Sequence, residues 1–598
     1  MPNASSQDRH PVPWAAGLAT VWSWTRATLA LWMLLGVVAS SACAQGFGAT
    51  PMYLYVSPTT ERYLQSQGRY YGMDYQRWRK HLKKYGELAK EVAREQLLSG
   101  LPPGVLILPA AVALDPQERT AIRQFAAQGG ALLGSGLVGT RDALGQAVGL
   151  DFLHSTFHVR SHGFFPPSED GFFMPFGDGP LTWTIPAARR MPLSVGQDTV
   201  LRIEADSTAA VAMDWARSKQ TQVHNVAAFH ESGSGRVAYF SFPDSAWPYS
   251  KDTALLMDAT LAWLRRMPQA YKAAWPNGYV ASHLIEMDTE DKFFSAPSFA
   301  KHLESEGFKG TFYSLTSLAV FYPDMVRDLM RRGHEIAYHA DVHFGFKGDA
   351  PQEQELRIRF MKQQMQAILG DSLPLATGFR APTESYDATT EALLRKHGLL
   401  HHAADESAHE DRLPFFSVSE PDVAPDKALV VLPRTQLDDV SFMHLKFTPD
   451  QVKETLEYDL DLTVRSGAFG LLSVHSQNYI EGGLMLRTMG DYVRKVATYR
   501  DRLWVARGDE IAAWWRQRAA VRVDQRLTAE ALHVRLETPI VVPGLTVFVT
   551  LPHKNAAVRV STQGSKSSVQ VKALDAYRAA LVFDAVQPGT TQLRVTFQ

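Results

Sequence analysis

The sequence predicts an α/β protein in three parts: one α/β domain, then a distorted (β/α) barrel, then a small β-sandwich. At 598 residues the chain is too long for a single hydrophobic core. Strand-length apolar runs alternate with helical stretches up to residue 518, and only short alternating β runs follow. The predicted boundaries are 1–44 for a targeting segment, 45–270 for the first domain, 271–518 for the barrel and 519–598 for the sandwich.

The composition is that of a globular chain and argues against nucleic-acid binding. Apolar residues make up 45% of the chain, charged residues make up 21%, and the mean hydropathy is -0.17. The formal net charge is -1, whereas proteins that bind nucleic acids usually carry an excess of Lys and Arg. We therefore expect no nucleic-acid partner.

The first 44 residues have the features of a secretory signal peptide. Arg9 and Arg26 supply positive charge, Ala27–Val38 is an apolar run, and Ala42-Cys43-Ala44 is a small-x-small cleavage pattern. The apolar run is shorter than the ~20 residues that span a bilayer, so we expect membrane anchoring only if the segment stays uncleaved. The expected location is periplasmic or secreted. Cys43 is the only cysteine, so the mature chain would contain no thiolate ligand or nucleophile.

The first domain has the βαβ pattern. Apolar runs at 104–109 and 130–134 flank a helix predicted over 116–128, which Asp115 can cap before Pro116. A further strand over 233–242 and a helix over 253–266 are predicted to complete the domain.

The second region predicts a parallel sheet whose strands are followed by helices. The clearest helix is Pro351–Leu369, where apolar residues recur at a roughly helical period. Because the carboxyl ends of such strands meet at one mouth, side chains there should converge. The predicted strands are 279–287, 310–314, 335–339, 377–380, 470–475 and 503–506.

The last region changes to short alternating β runs separated by turn residues, which predicts a β-sandwich. It shows no group of residues with evident chemistry. The predicted strands are 531–536, 545–551, 579–583 and 593–597.

Acidic and imidazole side chains at two strand ends predict a metal site. Asp288, Glu290 and Asp291 would repel one another unless a cation lay among them. His339 and His343 are four residues apart, close enough to share a first-row metal. Each group alone is also compatible with a solvated turn or with structural histidines. Together they favour a site of two histidines and one carboxylate.

Five segments in the second region follow one another as in a known enzyme family, and Lys309-Gly-Thr-Phe-Tyr313 adds a matching strand. They are Asp288-Thr-Glu-Asp291, Gly333-His-Glu-Ile-Ala-Tyr-His339 with His343, Phe379-Arg-Ala-Pro382, Asp405, and Leu471-Leu-Ser-Val-His475. The set resembles the motifs of NodB-type polysaccharide deacetylases, carbohydrate esterase family 4, and covers Tyr279–Arg518. The resemblance implies a metal-dependent hydrolase that removes N-acetyl groups from an amino-sugar polysaccharide.

The first domain carries a second resemblance. Gly104–Pro109 and Phe125–Gly136 are similar to segments of glutamine-amidotransferase-like, flavodoxin-like domains. In that family the nucleophile is a cysteine, and the equivalent region here reads Gly134-Ser135-Gly136. No Gly-x-Ser-x-Gly motif surrounds Ser135, so we expect a catalytically inert domain.

The deacetylase resemblance implies a role for each residue of the motifs. His339 and His343 would bind the metal, by default Zn²⁺ or another first-row divalent cation, with Glu290 or Asp291 as the carboxylate ligand. Asp288 would be the general base. The remaining implied roles are Arg380 as the partner of the base, His475 as the general acid, and Asp405 as the carboxylate that orients His475.

Two questions stay open at the level of sequence. The family commonly has two adjacent aspartates in its first motif. One alternative therefore makes Glu290 the base and Asp291 the metal ligand. We favour Asp288 as the base, because Asp288 ends its strand. Ala340 also replaces the usual Ser or Thr of the second motif.

We expect a hydrolase acting on a polysaccharide of the cell envelope or extracellular matrix, with envelope or export proteins as possible partners. The alternatives are an inactive glycan-binding or scaffold protein of a polysaccharide export system, and an amidase or esterase for small molecules.

Overall fold

A computed structural model describes most of the chain beyond the predicted signal peptide, which lies outside the described residues. No helix in the part described is both long and apolar enough to cross a membrane. The described residues are 47, 49–167, 171–175, 179–197, 199–214, 224–233, 235–404, 411–419, 422–563 and 567–598.

The first region is built on a nine-stranded sheet in the order β2-β1-β3-β4-β11-β10-β9-β6-β7. The five strands from β2 to β11 pair in parallel, and the remaining pairs are antiparallel. β5 and β8 form a separate pair. The strands are β1 Met52–Tyr55, β2 Ala89–Val92, β3 Val105–Leu108, β4 Ala131–Ser135, β5 Arg160–Phe164, β6 Gly171–Pro175, β7 Met191–Pro192, β8 Leu201–Glu204, β9 Thr208–Asp214, β10 His224–Ser232 and β11 Gly235–Phe240.

Helices cover this sheet and confirm the βαβ elements predicted from sequence. The helix Pro116–Ala127 begins where expected, because the Asp115 carboxylate accepts from the N–H groups of Gln117 and Glu118. The comparison with flavodoxin-like domains stays a prediction. The helices are Pro58–Ser66, Gly72–Leu82, Arg94–Ser99, Pro116–Ala127, Asp151–Phe157 and Lys251–Leu264.

The middle region is a curled half-barrel rather than a closed one. Its sheet runs β18-β19-β17-β16-β15-β14-β13-β20, with β21 also paired to β13, and no pairing joins its two ends in the described residues. All pairs are parallel except β18 with β19. β12 Ala270–Lys272 precedes this sheet and does not belong to it. The strands of the sheet are β13 Ala281–Thr289, β14 Thr311–Ser314, β15 Glu335–Tyr338, β16 Gly378–Arg380, β17 His401–Ala404, β18 Phe415–Phe416, β19 Val430–Pro433, β20 Phe469–His475 and β21 Leu503–Val505.

Nine helices among the described residues follow these strands. Pro351–Leu369 has the predicted bounds and buries Ile358, Met361 and Met365. The helices are Ala296–Ser305, Thr316–Ala319, Pro323–Arg331, Pro351–Leu369, Ala388–Lys396, Asp439–His444, Pro449–Ser466, Leu484–Ala497 and Gly508–Ala519.

The C-terminal region forms two four-stranded antiparallel sheets, β12-β25-β28-β27 and β22-β23-β30-β26. Val534 of one sheet and Val549 of the other belong to the same buried cluster. The four predicted strands are present, while the sandwich assignment and the boundaries at 270 and 518 stay predictions. The strands are β22 Arg522–Leu527, β23 Leu532–Thr538, β24 Val542–Pro543, β25 Thr546–Thr550, β26 Val558–Gln563, β27 Val569–Asp575, β28 Arg578–Phe583, β29 Ala585–Val586 and β30 Gly589–Phe597.

Candidate active site

Parallel pairing in the half-barrel brings four strand ends together. Asp288 near the end of β13 is in register with His475 at the end of β20. β15 and β16 pair through Tyr338 and Phe379, each one residue before a predicted site residue. His339 and Arg380 therefore lie at the same mouth as Asp288 and His475, although more than 180 residues separate the first from the last.

A carboxylate and two imidazoles form the first cluster at this mouth. Glu290 Oε1 lies 2.9 Å from Nε2 of His339 and 2.8 Å from Nε2 of His343. The three ligand atoms all lie within 4.8 Å of one another. Burial alone would raise the pKa of Glu290, but the hydrogen bonds from the two imidazoles outweigh it and lower that pKa.

Neighbouring groups orient these three side chains. Nδ1 of His339 lies 3.0 Å from the Arg380 carbonyl oxygen, and this contact orients the ring so that Nε2 faces the cluster. Gln477 Nε2 donates to Glu290 Oε2 at 2.6 Å, so Oε1 is the oxygen that faces the imidazoles. Ala340 has φ +70°, and this left-handed residue turns the chain directly after β15.

These residues fit a divalent metal. Two imidazole nitrogens and one carboxylate oxygen are the donor set of many zinc and other first-row sites, and the hydrogen bond from His339 to a carbonyl is the usual support of such a ligand. Glu290, His339 and His343 would hold the ion. A second group of possible donors consists of Asp288, Glu290 and His475.

Asp288 is buried beside a guanidinium. Its side chain is 2% exposed, and Oδ2 lies 2.9 Å from Nε of Arg380. Its other close contacts are Nε2 of His475 at 3.6 Å and Nδ1 of His339 at 3.8 Å. Asp288 therefore pairs with Arg380 beside two imidazoles, where its carboxylate can accept a proton.

His475 is held by Asp439, at the start of the helix Asp439–His444. Nδ1 of His475 donates to Asp439 Oδ1 at 2.7 Å, and the backbone N–H of His475 donates to Oδ2 at 3.0 Å. Burial disfavours the imidazolium, but the hydrogen bond to Asp439 and the charges of Asp439, Asp288 and Glu290 outweigh it and raise the pKa of His475 to about 10. In the metal-free site these groups therefore favour the imidazolium form of His475.

Arg380 contacts two further carboxyl groups. Nη1 lies 3.0 Å from Oε1 of Glu286, which is fully buried two residues before Asp288 on the same strand. Burial and the charge of Asp288 raise the pKa of Glu286 well above its usual value. Nη2 donates to Glu384 Oε1 at 2.8 Å, and Glu384 in turn contacts Arg434.

The structure brings together six of the eight site residues that the sequence predicts. Asp291 is exposed and belongs to neither group of possible metal donors, and Asp405 lies outside the described residues. Sequence reasoning missed Asp439, Gln477 and Glu384. Gln477 follows His475 closely enough to have been considered, whereas nothing in the sequence around Asp439 connects it to His475. The six are Asp288, Glu290, His339, His343, Arg380 and His475.

Residues 292–401 match the family model described as polysaccharide deacetylase. This stretch of the half-barrel is similar to polysaccharide deacetylase domains. The match includes His339, His343 and Arg380, and it ends before His475. Comparison with curated proteins gives no match.

Several solved structures resemble part or most of the chain at low identity. A Mycobacterium smegmatis protein described as a polysaccharide deacetylase is 22% identical to this chain, with a TM-score of 0.36. The alignment covers 42% of this chain and 94% of the Mycobacterium smegmatis chain. PuuE allantoinase is 16% identical, with a TM-score of 0.35 and coverages of 40% and 92%. The carbohydrate deacetylase Agd3 is 10% identical, with a TM-score of 0.44 and coverages of 92% and 100%.

Proposed function

We propose that this chain is a metal-dependent hydrolase that removes N-acetyl groups from an amino-sugar polysaccharide of the cell envelope or extracellular matrix. One observation carries the proposal. Three residues that can bind a metal ion, Glu290, His339 and His343, lie at one mouth of the half-barrel with Asp288 and His475. Asp288 is a carboxylate that can accept a proton, and His475 is an imidazolium that can donate one. The matched deacetylase family supports a polysaccharide substrate.

The chain's own residues can account for both proton transfers of amide hydrolysis. Water adds to the acetyl carbonyl carbon, the C–N bond breaks, and acetate and a free amine leave. Asp288, which pairs with Arg380, accepts the proton of the attacking water. His475, protonated through Asp439, donates a proton to the departing nitrogen.

A cation held by Glu290, His339 and His343 would supply Lewis acidity to the acyl carbonyl. Zn²⁺ is the first choice for this donor set, and other first-row divalent cations suit it as well. We favour Glu290 over Asp291 as the carboxylate ligand, because only Glu290 contacts both imidazoles.

The proposal is tested by acetate release from N-acetylglucosamine and N-acetylgalactosamine oligomers. Metal-stripped protein should release no acetate, and added Zn²⁺ should restore release. Asp288→Asn and His339→Ala should both abolish it, whereas His154→Ala, a change at an exposed histidine of the first region, should not. Zinc binding and oligomer binding without acetate release would favour the glycan-binding alternative instead.

We also infer that the protein is exported to the periplasm or outside the cell. The support is the charge, apolar run and cleavage pattern of residues 1–44. N-terminal sequencing of protein from the periplasm and culture fluid should give a chain that begins at Gln45. Recovery of the intact N-terminus in the membrane fraction would instead indicate an uncleaved anchor.

A further inference from the structure

Glu384 links two arginines at the mouth of the half-barrel. Its Oε1 accepts from Nη2 of Arg380 at 2.8 Å and from Nε of Arg434 at 2.7 Å. Its Oε2 accepts from Nη2 of Arg434 at 3.0 Å, so the contact with Arg434 is bidentate. A bidentate pair fixes the orientation of both groups better than a single hydrogen bond.

Arg434 is itself firmly held. It follows β19 directly, and its backbone N–H donates to the Ala404 carbonyl at the end of β17 at 2.7 Å. Its Nη1 donates to the Gln436 carbonyl at 3.2 Å. The guanidinium of Arg434 is therefore anchored to the sheet, and it anchors Glu384 in turn.

The turn that carries Glu384 is strained. Thr383 and Glu384 have φ values of +54° and +53°, so two successive residues with side chains adopt the left-handed conformation. The turn begins directly after Arg380, Ala381 and Pro382. Strain of this kind persists only where surrounding contacts fix it, and it is concentrated at functional sites. The two arginines on Glu384 supply such contacts.

The same contacts determine the direction of Arg380. Its Nε faces Asp288 at 2.9 Å, its Nη1 faces Glu286 at 3.0 Å, and its Nη2 faces Glu384 at 2.8 Å. Because the guanidinium is planar, holding both Nη atoms fixes where Nε points. Loss of the Glu384 contact would free the group to turn away from Asp288.

We propose that Glu384 and Arg434 are positioning residues that hold the Arg380 guanidinium against Asp288 in the orientation that hydrolysis requires. The inference rests on the proposed function and adds two residues to it that act through Arg380. Neither residue contacts Glu290, His339 or His343 in the part of the chain described. Their substitution should therefore change turnover and leave metal binding intact.

The test compares Glu384→Gln and Arg434→Gln with the wild-type full chain, using a chromogenic or oligomeric N-acetyl sugar. Each variant should lower kcat by about ten- to a hundredfold, as expected when a hydrogen bond to a charged group is lost, and leave KM within about twofold. Zn²⁺ affinity should stay at its wild-type value, whereas the melting temperature should fall, because the strained turn loses a contact that fixes it. Arg434→Lys keeps the charge without the bidentate geometry, and should recover part of the lost kcat.

The double variant and a matched control complete the design. Glu384→Gln with Arg434→Gln should lose no more kcat than the worse single variant, because the two residues act as one unit. Glu355→Gln removes the same charge from an exposed ion pair with Lys396 and should retain full kcat.

Each remaining outcome has a distinct meaning. A wild-type chain that releases no acetate refutes the proposed function, and the positioning role with it. Wild-type turnover with unchanged kcat in Glu384→Gln overturns the positioning role alone. The role is also overturned if kcat falls only together with Zn²⁺ affinity, or if the two losses simply multiply. If Arg434→Gln does not fold, Glu384→Gln and Arg434→Lys still decide the question.

Discussion

Replacing Asp439 by Asn should lower the pKa of His475 without displacing the imidazole. The substitution keeps the size of the side chain and an acceptor oxygen 2.7 Å from Nδ1, but it removes the negative charge. A hydrogen bond to a charged group contributes about 1.5 to 3 kcal/mol, which corresponds to a change of roughly one to two in the pKa of His475. In metal-free protein the pKa should therefore fall from about 10 to roughly 8 or 9, with the charges of Asp288 and Glu290 accounting for the remainder.

The same shift predicts the pH dependence of stability. Because the pKa of His475 is raised from 6.5 to about 10 on folding, its stabilising contribution is complete below pH 6.5 and disappears as the pH rises through 10. The wild-type protein should be more stable than Asp439→Asn at pH 6, and the difference should shrink towards pH 10.

Two measurements on metal-free protein check this reasoning. NMR of protein labelled with ¹⁵N-histidine follows the imidazole titration, and His475→Gln identifies the resonance. Calorimetry at pH 6, 8 and 10 compares the melting temperatures of wild type, Asp439→Asn and a control, Asp324→Asn, in which an almost fully exposed carboxylate is changed. A wild-type His475 that titrates near 6.5, or a pKa that Asp439→Asn leaves unchanged, would refute the account of this pair.

Three further predictions concern the metal ligands and the core. Gln477→Leu should weaken Zn²⁺ binding by about 10- to 100-fold, because Glu290 loses the donor that orients it. Gln366→Leu, a control in the helix Pro351–Leu369, should leave Zn²⁺ binding unchanged. Titration calorimetry measures the Zn²⁺ affinity of both variants. Glu290→Gln should abolish Zn²⁺ binding in the same assay while Asp291→Asn retains it, and the reverse result would make Asp291 the ligand. Leu472→Ala, a fully buried change on β20, should lower the free energy of unfolding by about 2 to 5 kcal/mol in urea titrations, and a loss below 1 kcal/mol would contradict the packing described.

The sequence predicted the site residues that follow apolar strands, because parallel strands bring their carboxyl ends to one edge. Asp288, His339, Arg380 and His475 are of this kind, and each lies at or directly beyond the end of its strand. Asp439 could not be predicted in the same way. It contacts His475 through a loop and helix that follow β19, and no local pattern encodes that distance.

Three strands of the half-barrel, β17, β18 and β19, escaped prediction. β17 consists of His401, His402 and two alanines, a composition that does not suggest a buried strand. Both imidazoles are fully buried, because Glu335 accepts from His401 at 2.8 Å and Glu391 accepts from His402 at 2.9 Å. The partners that make this strand possible lie elsewhere in the chain. β19 was missed although its four residues are buried, because a short apolar run alone does not distinguish a strand from other buried segments.

The placement of β12 makes the C-terminal region dependent on residues that precede the half-barrel. Ala270–Lys272 pairs with β25, and Tyr271 packs edge-on against Phe548 with ring centroids 5.6 Å apart. During synthesis this strand therefore emerges from the ribosome more than 270 residues before its partner. A chain cut after residue 518 would leave the strand unpaired, with its backbone groups available to other chains. The half-barrel should accordingly be produced together with both flanking regions.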